Sequence, residues 1–179
     1  MFTISTEKYH IIVNAPGLPN LYAEYCQYAK LVDEIDLSNS DGTAAFVAVG
    51  NANTWPFLVV AYRCIPGEDA TFHPGVLLIP ETDVLFLGGG ERILAYDLHT
   101  PSRLWEDCAD TGFWAWDRVK DVVIMSAELE LAAWDIHGKK LWSMFVEPPW
   151  FYEIQADSIP LDIMGKKLSF PLHTGPEER

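Results

Sequence analysis

Positive charge is what this sequence has least of: 12 Lys and Arg stand against 26 Asp and Glu in 179 residues, a formal charge of −14. Such a surface repels phosphate backbones, and the only adjacent basic pairs, Lys139-Lys140 and Lys166-Lys167, are too few for a nucleic-acid footprint. Long apolar runs are also missing. None approaches the roughly 18 residues of a membrane span, and Met1 to Asn14 has no basic start followed by an apolar stretch, so the expected location is the cytoplasm, away from membranes. Cysteine is scarce. Cys26, Cys64 and Cys108 have no paired spacing, which argues against a disulfide framework or a zinc site and for reduced, packed thiols. Gly88-Gly89-Gly90 is followed by Glu91-Arg92 rather than the Lys and hydroxyl of a phosphate loop, and neither a Gly-x-Ser-x-Gly elbow nor a His-Glu-x-x-His helix occurs. No cofactor is therefore expected.

What is present is a core-forming composition, 49% hydrophobic, and self-similarity. The length suits one domain. Asp83-Val84-Leu85-Phe86-Leu87-Gly88, then Leu94-Ala95-Tyr96-Asp97-Leu98-His99, then Leu104-Trp105 recurs as Asp121-Val122-Val123-Ile124-Met125, Leu131-Ala132-Ala133-Trp134-Asp135-Ile136-His137 and Leu141-Trp142. A third copy runs from Asp157-Ser158-Ile159 to Leu168-Ser169-Phe170-Pro171-Leu172-His173. These copies divide the chain into units at 76–112, 113–149 and 150–175, preceded by a degenerate unit at 44–75 and an N-terminal segment at 1–43.

The units read as β. Short segments rich in Val, Ile, Phe, Tyr and Trp alternate with Gly, Pro, Asp and Ser clusters, the spacing of sandwiches, barrels and propellers. In the second unit the expected strands are Phe113 to Arg118, Asp121 to Ser126, Glu130 to Ile136 and Lys139 to Val146, and four such strands make a blade. The expected fold is all-β, a small or partial propeller of four-stranded antiparallel units, with two packed twisted sheets as the alternative. Phe2 to Val13 alternates as a strand. Leu18, Leu21, Tyr22, Tyr25, Tyr28 and Val32 fall at helical spacing with Asn20 as N-cap, while Leu31 to Leu37 also alternates as a strand.

The repeat resembles the blade of quinoprotein-type (pyrroloquinoline-quinone-like) β-propellers through Ala95, Asp97, Trp105, Ala133, Asp135 and Trp142. Pro171 replaces the Asp in the third copy and Pro101 sits where that family usually has Gly. The resemblance implies architecture, with each closing Trp wedged between neighbouring blades, and carries no cofactor.

Three groups of residues could carry chemistry. His99, His137 and His173 recur at one repeat position and, converging, would suit a transition metal; as turn residues they would instead serve their own loops. Carboxylates from Glu106, Asp107, Asp110 and Asp117 flank Trp105, Trp114 and Trp116, a composition that suits a sugar cleft as well as an acidic loop beside an aromatic core. In Glu147-Pro148-Pro149-Trp150-Phe151-Tyr152-Glu153, three successive aromatics cannot share one strand face, which makes Trp150 and Tyr152 binding candidates beside Trp114, Trp116, Asp110 and Asp117. The expected function is a non-enzymatic interaction module whose acidic surface meets a basic protein, as an immunity protein meets its toxin. Two alternatives are an enzyme or binder for a neutral small molecule or sugar, and a self-associating structural subunit that completes an oligomeric β assembly.

Overall fold

Residues 1–38, 41–64 and 74–177 are described by a computed structural model, with the backbone but not the side chain of Cys64. The β-branched and aromatic segments form four sheets. The second sheet runs β6 (Gly75–Ile79), β7 (Val84–Gly89), β8 (Arg92–Asp97), β9 (Ser102–Cys108), and the third runs β10 (Phe113–Val119), β11 (Val122–Ala127), β12 (Glu130–Asp135), β13 (Lys140–Phe145). The fourth has β14 (Trp150–Tyr152), β15 (Ser158–Ile163) and β16 (Lys166–Pro171). All three are antiparallel meanders in chain order. Each strand expected in the second unit is present within about one residue.

Central strands are buried on both faces, which is why Val84-Leu85-Phe86-Leu87 and Val122-Val123-Ile124-Met125 read as continuous apolar runs. Period-two alternation sends their side chains to opposite seams. Leu85 and Leu87 meet Val47, Val60 and Tyr62 of the first sheet, while Phe86 meets Val123, Met125 and Trp134 of the third. Ile124 and Leu131 then face Ile159, Leu161 and Phe170 of the fourth. Among the described residues no apolar cluster joins the fourth sheet back to the first. The blades thus stack as an open arc, a small partial propeller rather than two packed sheets.

One hydrogen bond repeats through the arc. The N–H groups of Leu98, Ile136 and Leu172 donate to the carbonyls of Asp83, Asp121 and Asp157 at 2.8, 3.1 and 2.9 Å, closing each blade at the same repeat position. The closing tryptophans join blade to blade: Trp105 Nε1 donates to the Gly138 carbonyl at 2.5 Å, and Trp142 Nε1 to the Leu172 carbonyl at 2.8 Å. Close approach also explains Gly88. It lies inside β7 with a Cβ position 2.6 Å from the Phe113 ring, and of the Gly88-Gly89-Gly90 run only Gly90 takes a positive φ.

The N-terminal part departs from the reading in segments. β4 (Thr43–Gly50) and β5 (Leu58–Cys64), which fall in the degenerate unit expected at 44–75, are inner strands of a five-stranded sheet ordered β1 (Phe2–Ser5), β2 (His10–Asn14), β4, β5, β3 (Leu31–Ile35). Residues on both sides of position 43 therefore share one sheet. Phe2 to Val13 folds as a hairpin instead of a single strand, because Glu7-Lys8 interrupts it. The helix α1 is shorter than its periodicity, Tyr22–Tyr28, with Leu21 rather than Asn20 at the N-cap and no side-chain cap. The competing strand takes Leu31–Ile35, since parallel pairing with β5 satisfies a full row of backbone groups there. Tyr22, Tyr25 and Cys26 lay α1 over Phe46, Ala48 and Val59, covering the outer face of the first sheet. Of the cysteines, Cys26 is half-buried and Cys108 is exposed, so Cys108 is not packed as expected. Among the described residues no helix is long and apolar enough to cross a membrane.

Candidate functional site

Aromatic side chains gather where β10 of the third sheet lies beside β14 of the fourth. Pro148-Pro149 cannot extend a ladder, and the chain resumes pairing only at Trp150, opposite Ile163. In β10 the register slips between Phe113 and Ala115, a β-bulge with Trp114 as the extra residue. Strict alternation would put Trp114 and Trp116 on one face. The bulge instead sends Trp116 inward, onto Phe86, Phe113 and Trp134, and turns Trp114 toward the fourth sheet.

There Trp114 stacks on Trp150, centroids 5.3 Å apart and planes 12° from parallel, and Trp150 stacks in turn on Tyr152 at 6.0 Å. Trp150 is 5% exposed and its Nε1 donates to the Glu128 carbonyl at 3.0 Å, so it anchors the stack. Trp114 is 53% exposed and Phe151 72%. With Ser126, Pro148 and Pro149 these rings line an open depression of about 470 Å³. The Tyr152 hydroxyl donates to Asp117 Oδ2; burial, with that bond, pushes the phenol far above its ordinary range, so it stays a protonated donor and orients the carboxylate. Glu128, Glu147 and Glu153 are exposed neighbours of the lining residues. An exposed indole face beside carboxylates suits a flat or cationic group, above all guanidinium.

The structure thus brings Trp114, Trp150, Tyr152 and Asp117 together and leaves two candidates out. Trp116 belongs to the seam between the second and third sheets, with its indole Nε1 buried and unpartnered among the described residues. Asp110 lies beside Glu130, to whose carboxylate its main-chain N–H donates at 3.4 Å. The other acidic candidates hold the fold: Glu106 pairs with Arg92 and Arg103, and Asp107 with Lys140.

The histidines do not converge. Asp97 Oδ1 accepts the main-chain N–H of His99 at 2.8 Å, and Asp135 Oδ1 that of His137 at 2.9 Å, so the repeated Asp builds the turn and the His rides on it. Where Pro171 replaces the Asp, the His173 ring reaches Asp121 of the preceding unit at 3.0 Å instead. Among the described residues no group of three metal-ligating side chains occurs. A second aromatic surface escaped the sequence reading: Tyr28 and Trp55 stack at 4.7 Å, both about half exposed, beside a depression of about 580 Å³ that Trp55 lines with Ser5, His10 and Tyr25. The Asn51-Ala52-Asn53-Thr54 loop before Trp55 was its only signal.

No family model matches the chain, and no curated protein does. Solved structures match part of it. Hsv2 of Kluyveromyces lactis is 8% identical with a TM-score of 0.34, covering 59% of this chain and 35% of its own. BamB of Moraxella catarrhalis is 14% identical with a TM-score of 0.44, over 80% of this chain and 61% of its own. Sqt1 of Saccharomyces cerevisiae is 14% identical with a TM-score of 0.45, over 74% and 42%. The chain spans less than two thirds of each of these proteins.

Proposed function

We propose that this chain is a non-enzymatic binding module that engages a basic segment of a partner protein through the Trp114 groove. The exposed Trp114 face stacked on a buried Trp150, with Asp117 held at the rim by Tyr152, carries the reading. Buried aromatic anchors with an exposed ring are the usual form of an interface hot spot. The net charge of −14 speeds encounter with a cationic partner and makes association salt-dependent. An immunity protein masking a basic toxin is one member of this class. The quinoprotein-type reading of the blades enters only as architecture: Ala-x-Asp strands and closing tryptophans build the scaffold, and the seam between two blades presents the site.

The test is affinity capture from native lysate at low and high salt, run in parallel with wild type and Trp114→Ala. A species held at low salt, released at high salt and absent from the variant supports the reading. The same species on both proteins, or none on either, overturns it.

A further inference from the structure

The helix α1 covers the outer face of the first sheet over only part of its width. Antiparallel register sets Ile12 beside Ala48 and, one pair further along the same face, His10 between Ser5 of β1 and Gly50 of β4. α1 lies over Phe46, Ala48 and Val59, and the Ser5-His10-Gly50 row lies at the margin of that cover, with Ser5 exposed and His10 half-buried. Gly50 brings no side chain to the row. A Cβ there would sit 3.2 Å from Pro56 Cα and from the Trp55 carbonyl oxygen, so its absence lets the loop between β4 and β5 pack back on the end of β4. The Thr54 N–H and hydroxyl donate to the Asn51 carbonyl at 3.2 and 3.1 Å, and Asn53 takes φ +59°, a tight turn that delivers Trp55 beside α1.

Tyr25 and Tyr28, neighbours on one face of α1, brace the indole. Tyr28 stacks on Trp55 at 4.7 Å, while Tyr25 meets it edge-on at 5.8 Å and stacks on the buried Phe46 at 5.6 Å. The half-exposed ring is thus fixed to the core before any ligand arrives. Trp55, Tyr25, His10, Ser5, Asn53 and Thr54 line the depression and Tyr28 does not, so it meets a part of the indole that the stack leaves uncovered. In a chain of net charge −14, no Asp, Glu, Lys or Arg lines it. Its polar groups are an amide, two hydroxyls and an imidazole. Ser5 Oγ and His10 Nδ1 share a hydrogen bond of 3.1 Å, which leaves His10 Nε2. Among the described residues that nitrogen, the Asn53 amide and the Trp55 indole N–H bond to no other residue.

These features select a neutral ligand with an apolar face and a rim of hydroxyls. The polarised C–H bonds on one face of a pyranose suit the electron-rich face of an indole. Its hydroxyls are costly to bury unpaired and need donors and acceptors of the kind found around this rim. A cation would find no carboxylate in the lining, and rings in contact at 4.7 Å leave no slot between them for a proline. The depression of about 580 Å³ lies within the roughly 300–1,000 Å³ of small-molecule sites. We propose that it is a second binding site, for the neutral pyranose rings of an oligosaccharide or polysaccharide. One ring stacks on Trp55, and Asn53, His10 and Ser5 take its hydroxyls. The site belongs to the first sheet and depends neither on the Trp114 groove nor on a basic partner.

The probes are cellotetraose, maltotetraose, chitotetraose and xylotetraose, titrated calorimetrically into the whole protein, with the parent polysaccharides cast into native gels. Binding of at least one is expected, with the same affinity at low and high salt because the ligand carries no charge. Trp55→Ala is expected to weaken it about tenfold or more, through lost stacking and lost contact area. Asn53→Gly keeps the positive φ and the Trp55 stack, removes the amide, and is expected to weaken binding about fivefold. Binding in titration assigns a free oligosaccharide and retardation in the gels alone assigns a polymer; either supports the proposal when both variants weaken it. No binding of any of the four sugars or their polymers overturns it, as does binding that both variants leave unchanged. A proline decamer that binds where the sugars do not assigns the surface to proline-rich segments and also overturns it.

Discussion

The indole N–H of Trp142, on the outer strand of the third sheet, donates to the Leu172 carbonyl in the last turn of the fourth, at 2.8 Å. Gly175, at φ +71°, lies under the same ring, with a Cβ position 2.4 Å from Trp142 Cγ. Trp105 makes the corresponding bond to Gly138 one blade earlier.

Trp142→Ala is therefore expected to destabilise the protein by ~3–5 kcal/mol in denaturant unfolding, the range for a buried aromatic. Trp142→Phe keeps most of the ring and loses the hydrogen bond, about 1 kcal/mol. Trp105 acts in a different seam, so the effect of Trp105→Phe is expected to add to that of Trp142→Phe within about 0.5 kcal/mol.

Gly88→Ala places a methyl group into the Phe113 ring and is expected to lower stability by ~1–3 kcal/mol. Phe113→Leu in the same chain makes room and recovers part of that loss. A double-mutant cycle on thermal or chemical unfolding measures the coupling, and additive effects would show that the ring does not set the glycine.

Trp114 and Trp150 separate stability from binding. Trp150→Ala is expected to cost about 3–5 kcal/mol because the indole is buried and hydrogen-bonded. Trp114→Ala removes only a half-exposed stacking partner, about 1 kcal/mol, while abolishing capture of the salt-sensitive partner.

Glu130 and Asp83 contribute to stability against pH with opposite sign. Burial holds the Glu130 carboxyl above its ordinary range, with nearby Lys140 opposing the shift, so the folded state binds more protons than the unfolded. Its contribution is present below the ordinary carboxyl range and is lost as pH rises through the raised value. Asp83, bonded by Lys8 and by the Tyr9 hydroxyl, is held low. Its contribution is present above the ordinary range and is lost as pH falls through the lowered value. Glu130→Gln is expected to raise the melting temperature most at neutral pH, and Asp83→Asn to lower it there; melting curves from pH 3 to 8 check both signs.

The blades were legible because their physics is local and repeated. Val84 to Trp105 and Val122 to Trp142 carry apolar runs, turn-forming Asp residues and a closing Trp, and each recurs from one unit to the next. The first sheet was less legible because β3 pairs in parallel with β5 across more than twenty residues, and no nearby pattern announces such a partner. At the candidate site, composition named Trp150, Tyr152 and Asp117, which the structure brings together with Trp114. Trp116 lies apart from them because a bulge leaves no trace in apolar alternation: the extra residue at Trp114 separates two indoles that strict alternation would put on one face. The equivalence of His99 and His137 was real, but its physical content lay in the preceding Asp.

Among the described residues the seams link the four sheets in chain order and none joins the fourth back to the first, so the sheets behave as a row of coupled units. The first sheet is braced on its far side by α1. Among the described residues the fourth packs on the third alone, and on its other face Phe151 and Lys167 are exposed and Asp162 half-buried. With one packed face where the inner sheets have two, the fourth sheet is the described unit that opens most readily, and the aromatic groove belongs to it. A ligand spanning the last seam would act as a clasp, slowing the whole row from unzipping.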